Sequence, residues 1–199
     1  MSLPWRTLNV DVSTAIKLKF DFNKLISSST RVKEHGWDMW AYRASELNDL
    51  FNSDWLESIS DLGINHALLF YRKPWFQHPN AHIDMPYNPG ASLSAAMNWV
   101  VGNDTSEMVW YKTPNNVNFD DYVFTQTDNA YIPFPVETLE LEATHKIGNT
   151  LTLVRVDIPH TVIMGKEPRM VVSLRSSHKA KLGEWDKIIE QFGRYINDT

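Results

Sequence analysis

The residues best placed to do chemistry together lie in His78-Pro79-Asn80-Ala81-His82-Ile83-Asp84-Met85-Pro86. Residues 81–85 read as a strand, and side chains on a strand alternate between its two faces. His82 and Asp84 then point the same way and can occupy neighbouring corners of one metal ion. A third ligand must come from elsewhere. His160 is the best candidate, because it ends the run 151–160, in which Val154, Val156 and Ile158 share its parity and Arg155 and Asp157 share the other. It reads as a continuation of the inward face of a core strand. Two histidines and one carboxylate leave three positions open on an octahedral ion, a set suited to Fe(II). The competing reading is two hydrogen-bonded core histidines and a turn aspartate.

Nine residues after His160 comes Arg169, opening a strand over 169–175. Arg169, Val171, Ser173 and Arg175 fall on one face, and Met170, Val172 and Leu174 on the other. An arginine entering a barrel needs an anion, because an unpaired buried guanidinium is very costly. Its planar fork suits a carboxylate. A dicarboxylate could chelate the ion with one end and meet Arg169 with the other. Arg175 is the alternative partner, and both arginines solvated at strand ends is the plainer one. Asn98 is polar within the apolar run 95–101 and needs a partner if buried. It either bonds a co-substrate or substrate, or serves as a structural amide. His78 reads as a loop residue near the pocket mouth, while His35, His66, His145 and His178 show no partner pattern. Tyr71, Tyr111, Trp75, Trp99 and Trp110 read as packing residues before pocket walls.

The pattern His82-x-Asp84, a distal His160 and Arg169 resembles that of the Fe(II)/2-oxoglutarate-dependent oxygenases, over about residues 67–177. The text at 148–162 is similar to compact members, among them aspartyl/asparaginyl β-hydroxylase-like proteins and small phage-type relatives. The resemblance implies a double-stranded β-helix core. It implies Fe(II) on His82, Asp84 and His160, and 2-oxoglutarate bound by Arg169, or Arg175, with Asn98 nearby. It implies dioxygen as second co-substrate, and hydroxylase-type oxidation of a small molecule or peptide side chain coupled to decarboxylation. Many members carry Ser or Thr two residues after the arginine, where this chain has Val171; Ser173 stands four after. The gap from Asp84 to His160 is also long, with 114–135 supplying the excess. Two other readings stay open: a cupin-type metalloenzyme that does not use 2-oxoglutarate, and a non-catalytic β-sandwich binding or phage structural module.

Elements able to position these residues can be read from hydrophobic period. Short strands are expected at 67–72, 81–85, 93–101, 107–112, 138–144, 151–160 and 169–175, with another within 8–22. Residues 114–135 read as a long insertion between strands. With 75–78 and 88–92, that insertion is expected to set substrate choice. Helices are expected at 45–59, capped by Ser45 with Gly63 past its end, and at 184–196. The class expected is mainly β with flanking helices, a jelly-roll or cupin-like core. One domain is expected over 1–199, with its core at 65–177, an N-terminal region at 1–64 and the helix 184–196 closing it.

Composition narrows the partners. The 199 residues carry a formal charge of −5, so no basic field gathers nucleic acid. No cysteine is present, which excludes Cys-zinc sites, iron–sulfur clusters and thiol nucleophiles. No apolar run approaches the ~18 residues that span a bilayer, and the N-terminus lacks a signal-peptide core. A soluble, cytoplasmic protein without a membrane partner is the expectation; its oligomeric state stays open.

Overall fold

A computed structural model describes residues 2–16, 32–34, 37–43, 46–75, 80–85, 95–101, 105–124, 130–176 and 183–196. Ser45, the 27–30 loop, the 88–90 and 102–104 turns, His35, His78 and His178 lie outside the described residues.

Thirteen strands and three α-helices are described. In chain order they are β1 (Trp5–Thr7), β2 (Val32–Glu34), β3 (Trp37–Arg43), α1 (Leu47–Leu50), α2 (Ser53–Ser58), β4 (Ile64–Arg72) and β5 (Asn80–Met85). Then come β6 (Ala95–Val101), β7 (Glu107–Tyr111), β8 (Val123–Phe124), β9 (Ala130–Pro135) and β10 (Leu141–His145). The last are β11 (Thr152–Arg155), β12 (His160–Ile163), β13 (Arg169–Ser176) and α3 (Trp185–Gln191). They form a seven-stranded sheet, β1-β11-β6-β13-β4-β3-β2, and a six-stranded sheet, β10-β7-β12-β5-β9-β8. Every pairing is antiparallel.

From β4 to β7 and again from β10 to β13, each strand lies in the opposite sheet from the one before it. Strands adjacent in a sheet are therefore distant in sequence: β13 sits between β4 and β6, and β12 between β5 and β7. This interleaving of eight strands is the double-stranded β-helix, or jelly roll. The protein is mainly β, with short helices on one side.

Two apolar layers hold it. Ala96, Val100, Met108, Trp110, Val154, Val162 and Val171 fill the space between the sheets. Leu69, Met97, Leu153, Val172 and Leu174 face the other way, onto Leu50, Phe51, Trp55, Trp185, Ile188 and Phe192 from the helical segments. The central strands of the seven-stranded sheet are covered on both faces. On β13 the first six residues are all buried, yet Val171 belongs to the inner layer and Val172 to the outer, as strand alternation requires.

Several expected elements differ. The helix over 45–59 is broken at Phe51, which is extended and bridges Ile16, while the Asn52 backbone N–H donates to the Ala15 carbonyl at 2.9 Å. A 3-10 turn at Ser60–Leu62 then ends on Gly63, whose φ of 62° favours glycine. Of the strand expected within 8–22, residues 8–16 form only bridges at Leu8 and Ile16, and 17–22 lie outside the described residues. The expected strand at 138–144 is displaced to β10, after a 3-10 turn at Val136–Thr138. Residues 114–135 are not merely an insertion, since β8 and β9 lie within them and β9 pairs along the whole of β5. The run 151–160 is not one strand either. It is β11 in one sheet, a crossing at 156–159, and the start of β12 in the other. Pairing is a tertiary matter, and local alternation does not reveal where a strand changes sheets.

Candidate metal centre

His82 and Asp84 project from β5 into the space between the sheets, as their spacing requires, while Ala81 faces the outer side with Val109 and Tyr111. His160 begins β12 directly opposite His82 in register. The imidazole centroids of His82 and His160 are 4.5 Å apart. One ligand atom from each of His82, Asp84 and His160 lies within 4.8 Å of the others. Among the described residues this is the cluster of metal-ligating groups that stands out.

The donor set fits one ion. His82 Nε2 and Asp84 Oδ1 are 3.4 Å apart, near the ~3.0–3.5 Å between two donors that each sit ~2.0–2.2 Å from a shared metal. His160 Nδ1 is 3.0 Å from the Ile158 carbonyl, so that nitrogen donates its hydrogen there and Nε2 keeps a lone pair. Burial pushes the His160 imidazole down to about 4, helped by His82 and only partly opposed by the Asp84 anion. It is therefore neutral at physiological pH, the form a metal requires. Burial acts to raise the Asp84 carboxyl, but the His82 hydrogen bond and the nearby Arg175, His160 and His82 outweigh it. The net effect holds this carboxyl below the usual carboxylate range, so it is ionised.

The crossing that delivers His160 is tied down by Asp157. Its buried carboxylate accepts from Arg155 Nε at 2.7 Å and from the Gly183 backbone N–H at 2.6 Å, just before α3. Trp110, beside His160 in register on β7, donates from Nε1 to the Arg155 carbonyl at 2.9 Å. Tyr131 lies opposite Asp84 on β9 and meets the His82 ring edge-on at 5.8 Å. Neither Asp157 nor Tyr131 stands out in the sequence. Asp157 shares the Arg155 parity of an apparent strand, and Tyr131 lies in what reads as a loop.

The two arginines separate. Both face the inside of the barrel with Val171, but they stand six positions apart on β13, about 20 Å along the backbone at strand rise. Arg175 reaches Asp84, with both terminal nitrogens 3.4 Å from Oδ2. Arg169 is buried at the other end of β13, in register with buried Arg72, whose guanidinium donates to the Val162 carbonyl at 3.1 Å. Burial and the Arg169 charge both push Arg72 well down. Asn98 also faces inward, in register with Thr152 on one side and Ser173 on the other. Asn98 Oδ1, Thr152 Oγ1 and Ser173 Oγ are buried in this row without a hydrogen-bond partner among the described residues. A polar row of this kind needs water or a bound molecule to complete it.

The sequence matches no protein-family model and no curated protein. Solved structures with a similar fold include the oxalate decarboxylase of Bacillus subtilis, from a study of its Mn(II) centres, at TM-score 0.37 and 10% identity. That alignment covers 79% of this chain and 31% of the other. The formate complex of Lactobacillus farciminis oxalate decarboxylase gives TM-score 0.35 and 10% identity, over 84% and 41% of the two chains. This chain thus spans less than half the length of either enzyme. No helix among the described residues is long and apolar enough to cross a membrane.

Proposed function

We propose that this chain is a jelly-roll metalloenzyme in which His82, Asp84 and His160 hold one divalent ion. The observation that carries the proposal is the convergence of their three ligand atoms within 4.8 Å, from two strands, on the inner face of one sheet. Two imidazoles and one carboxylate suit Fe(II), with positions left for substrate and dioxygen. When bound, such an ion supplies Lewis acidity and oxidation by dioxygen. The chain's own groups prepare the site. The Ile158 carbonyl aims His160, Arg175 and His82 keep Asp84 ionised, and Trp110, Val162 and Val171 keep water from the inner side. A small molecule or a peptide side chain is the proposed substrate.

A narrower reading makes 2-oxoglutarate the co-substrate, with its far carboxylate toward Arg169. What favours it is the pair of buried, inward guanidiniums of Arg72 and Arg169, with Arg72 at the Val162 carbonyl two residues along β12 from His160; a planar fork suits a carboxylate. One titration tests both. Fe(II) is added anaerobically, then 2-oxoglutarate, and the visible spectrum is followed. Uptake with a charge-transfer band supports the narrower reading. Uptake without a band leaves a metalloenzyme of cupin type using another co-substrate. No uptake refutes both and returns the chain to a binding module.

A further inference from the structure

Arg175 belongs to the seven-stranded sheet and Asp84 to the six-stranded one. Their contact therefore spans the barrel. The two carboxylate oxygens of Asp84 have separate partners: Oδ1 lies 3.4 Å from His82 Nε2, and Oδ2 lies 3.4 Å from both Arg175 terminal nitrogens. The Arg175 and Asp84 side chains are only 12% and 19% exposed, so water competes weakly for either. On β4, directly opposite Arg175 in register, stands His66, whose Nδ1 lies 2.6 Å from Asn65 Oδ1 and which offers Arg175 no negative charge.

We propose that Arg175 is a positioning residue for this centre: it grips Asp84 by Oδ2 from across the barrel, so that Oδ1 alone is presented beside the histidines. The inference rests on the metal reading of His82, Asp84 and His160. An unrestrained carboxylate rotates about its terminal bond and can chelate with both oxygens, consuming a second coordination position. A guanidinium fork on one oxygen removes that freedom. It does so from a different sheet, so the orientation of the ligand depends on the two sheets being packed. A lysine at this position would keep the charge but not the fork.

Co(II) is the probe, because its visible bands change in intensity and pattern with coordination number. Wild type, Arg175→Lys and Arg175→Met are each titrated with Co(II), and affinity is read by chelator competition. Arg175→Met is expected to weaken Co(II) binding ~10–100-fold, as loss of a group supporting a ligand generally does, and to alter the band pattern. Arg175→Lys should recover part of the affinity but not the wild-type spectrum. A merely structural Arg175 would lower the melting temperature of the metal-free variants while leaving both spectrum and affinity unchanged, and that result overturns the proposal. If Arg175→Met does not fold, Arg175→Lys decides alone: an unchanged spectrum and affinity refute the fork, and a changed spectrum supports it. A wild-type chain that takes up no Co(II) removes the metal reading, and this inference falls with it.

Discussion

Acid should weaken the metal-free protein below the ordinary histidine value, because burial holds the His66, His145 and His160 imidazoles down, and His160 carries the large shift. Unfolded, His160 titrates near the ordinary value of 6.5; folded, burial and the neighbouring His82 bring it to about 4. The folded state therefore binds this proton less readily than the unfolded one. The stabilising contribution is complete above 6.5 and is lost as pH falls from 6.5 toward about 4. A shift of that size corresponds to about 3 kcal/mol. Asp84 does not blur the window. Its folded carboxyl is held below its ordinary 3.8, so its contribution is present above 3.8 and disappears only at lower pH. The assay is urea unfolding in the presence of a chelator at a series of pH values between 7.5 and 4, for wild type and His160→Gln. Wild type should lose about 3 kcal/mol more than the variant across that range. Equal losses in the two proteins would refute the reasoning, because the proton uptake would then belong to other groups.

Asp84→Ala removes the one carboxylate of the triad and should lower metal affinity by more than the ~10–100-fold typical of a supporting group, measured by calorimetry. The fold should survive, since apolar layers hold it; outright unfolding would point to a structural ion instead. Leu174→Ala, at a fully buried position facing the helices, should cost ~2–5 kcal/mol in denaturant unfolding with metal affinity unchanged. A parallel loss of metal binding would show that the outer layer supports the site. On the 2-oxoglutarate reading, Arg169→Ala should weaken binding of that acid at least ~100-fold and leave Co(II) affinity intact. No change in the 2-oxoglutarate titration would remove Arg169 from that role.

Some of this architecture is written locally. The period-two spacing of His82 and Asp84 depends only on strand geometry, and it puts both on one face wherever the strand lies. The alternation of Arg169, Val171, Ser173 and Arg175 against Met170, Val172 and Leu174 likewise follows from backbone pleat, and the inner and outer layers divide along it. The absence of cysteine limits metal ligands to His and carboxylate without any fold at all. Only the tertiary structure decided the partners. His160 reads as the end of the β11 run, yet the chain crosses between sheets at 156–159 and sets it beside His82 from β12. Arg169 and Arg175 have the same parity and chemistry in the sequence, and the packing of the sheets brings Arg175 to Asp84. Tyr131 joins the site through β9, in a segment whose prolines and polar residues read as loop. The reason is common to all three. Strand periodicity is a property of neighbouring residues, whereas sheet membership and register come from burial of surfaces far apart in the chain, which no local pattern encodes.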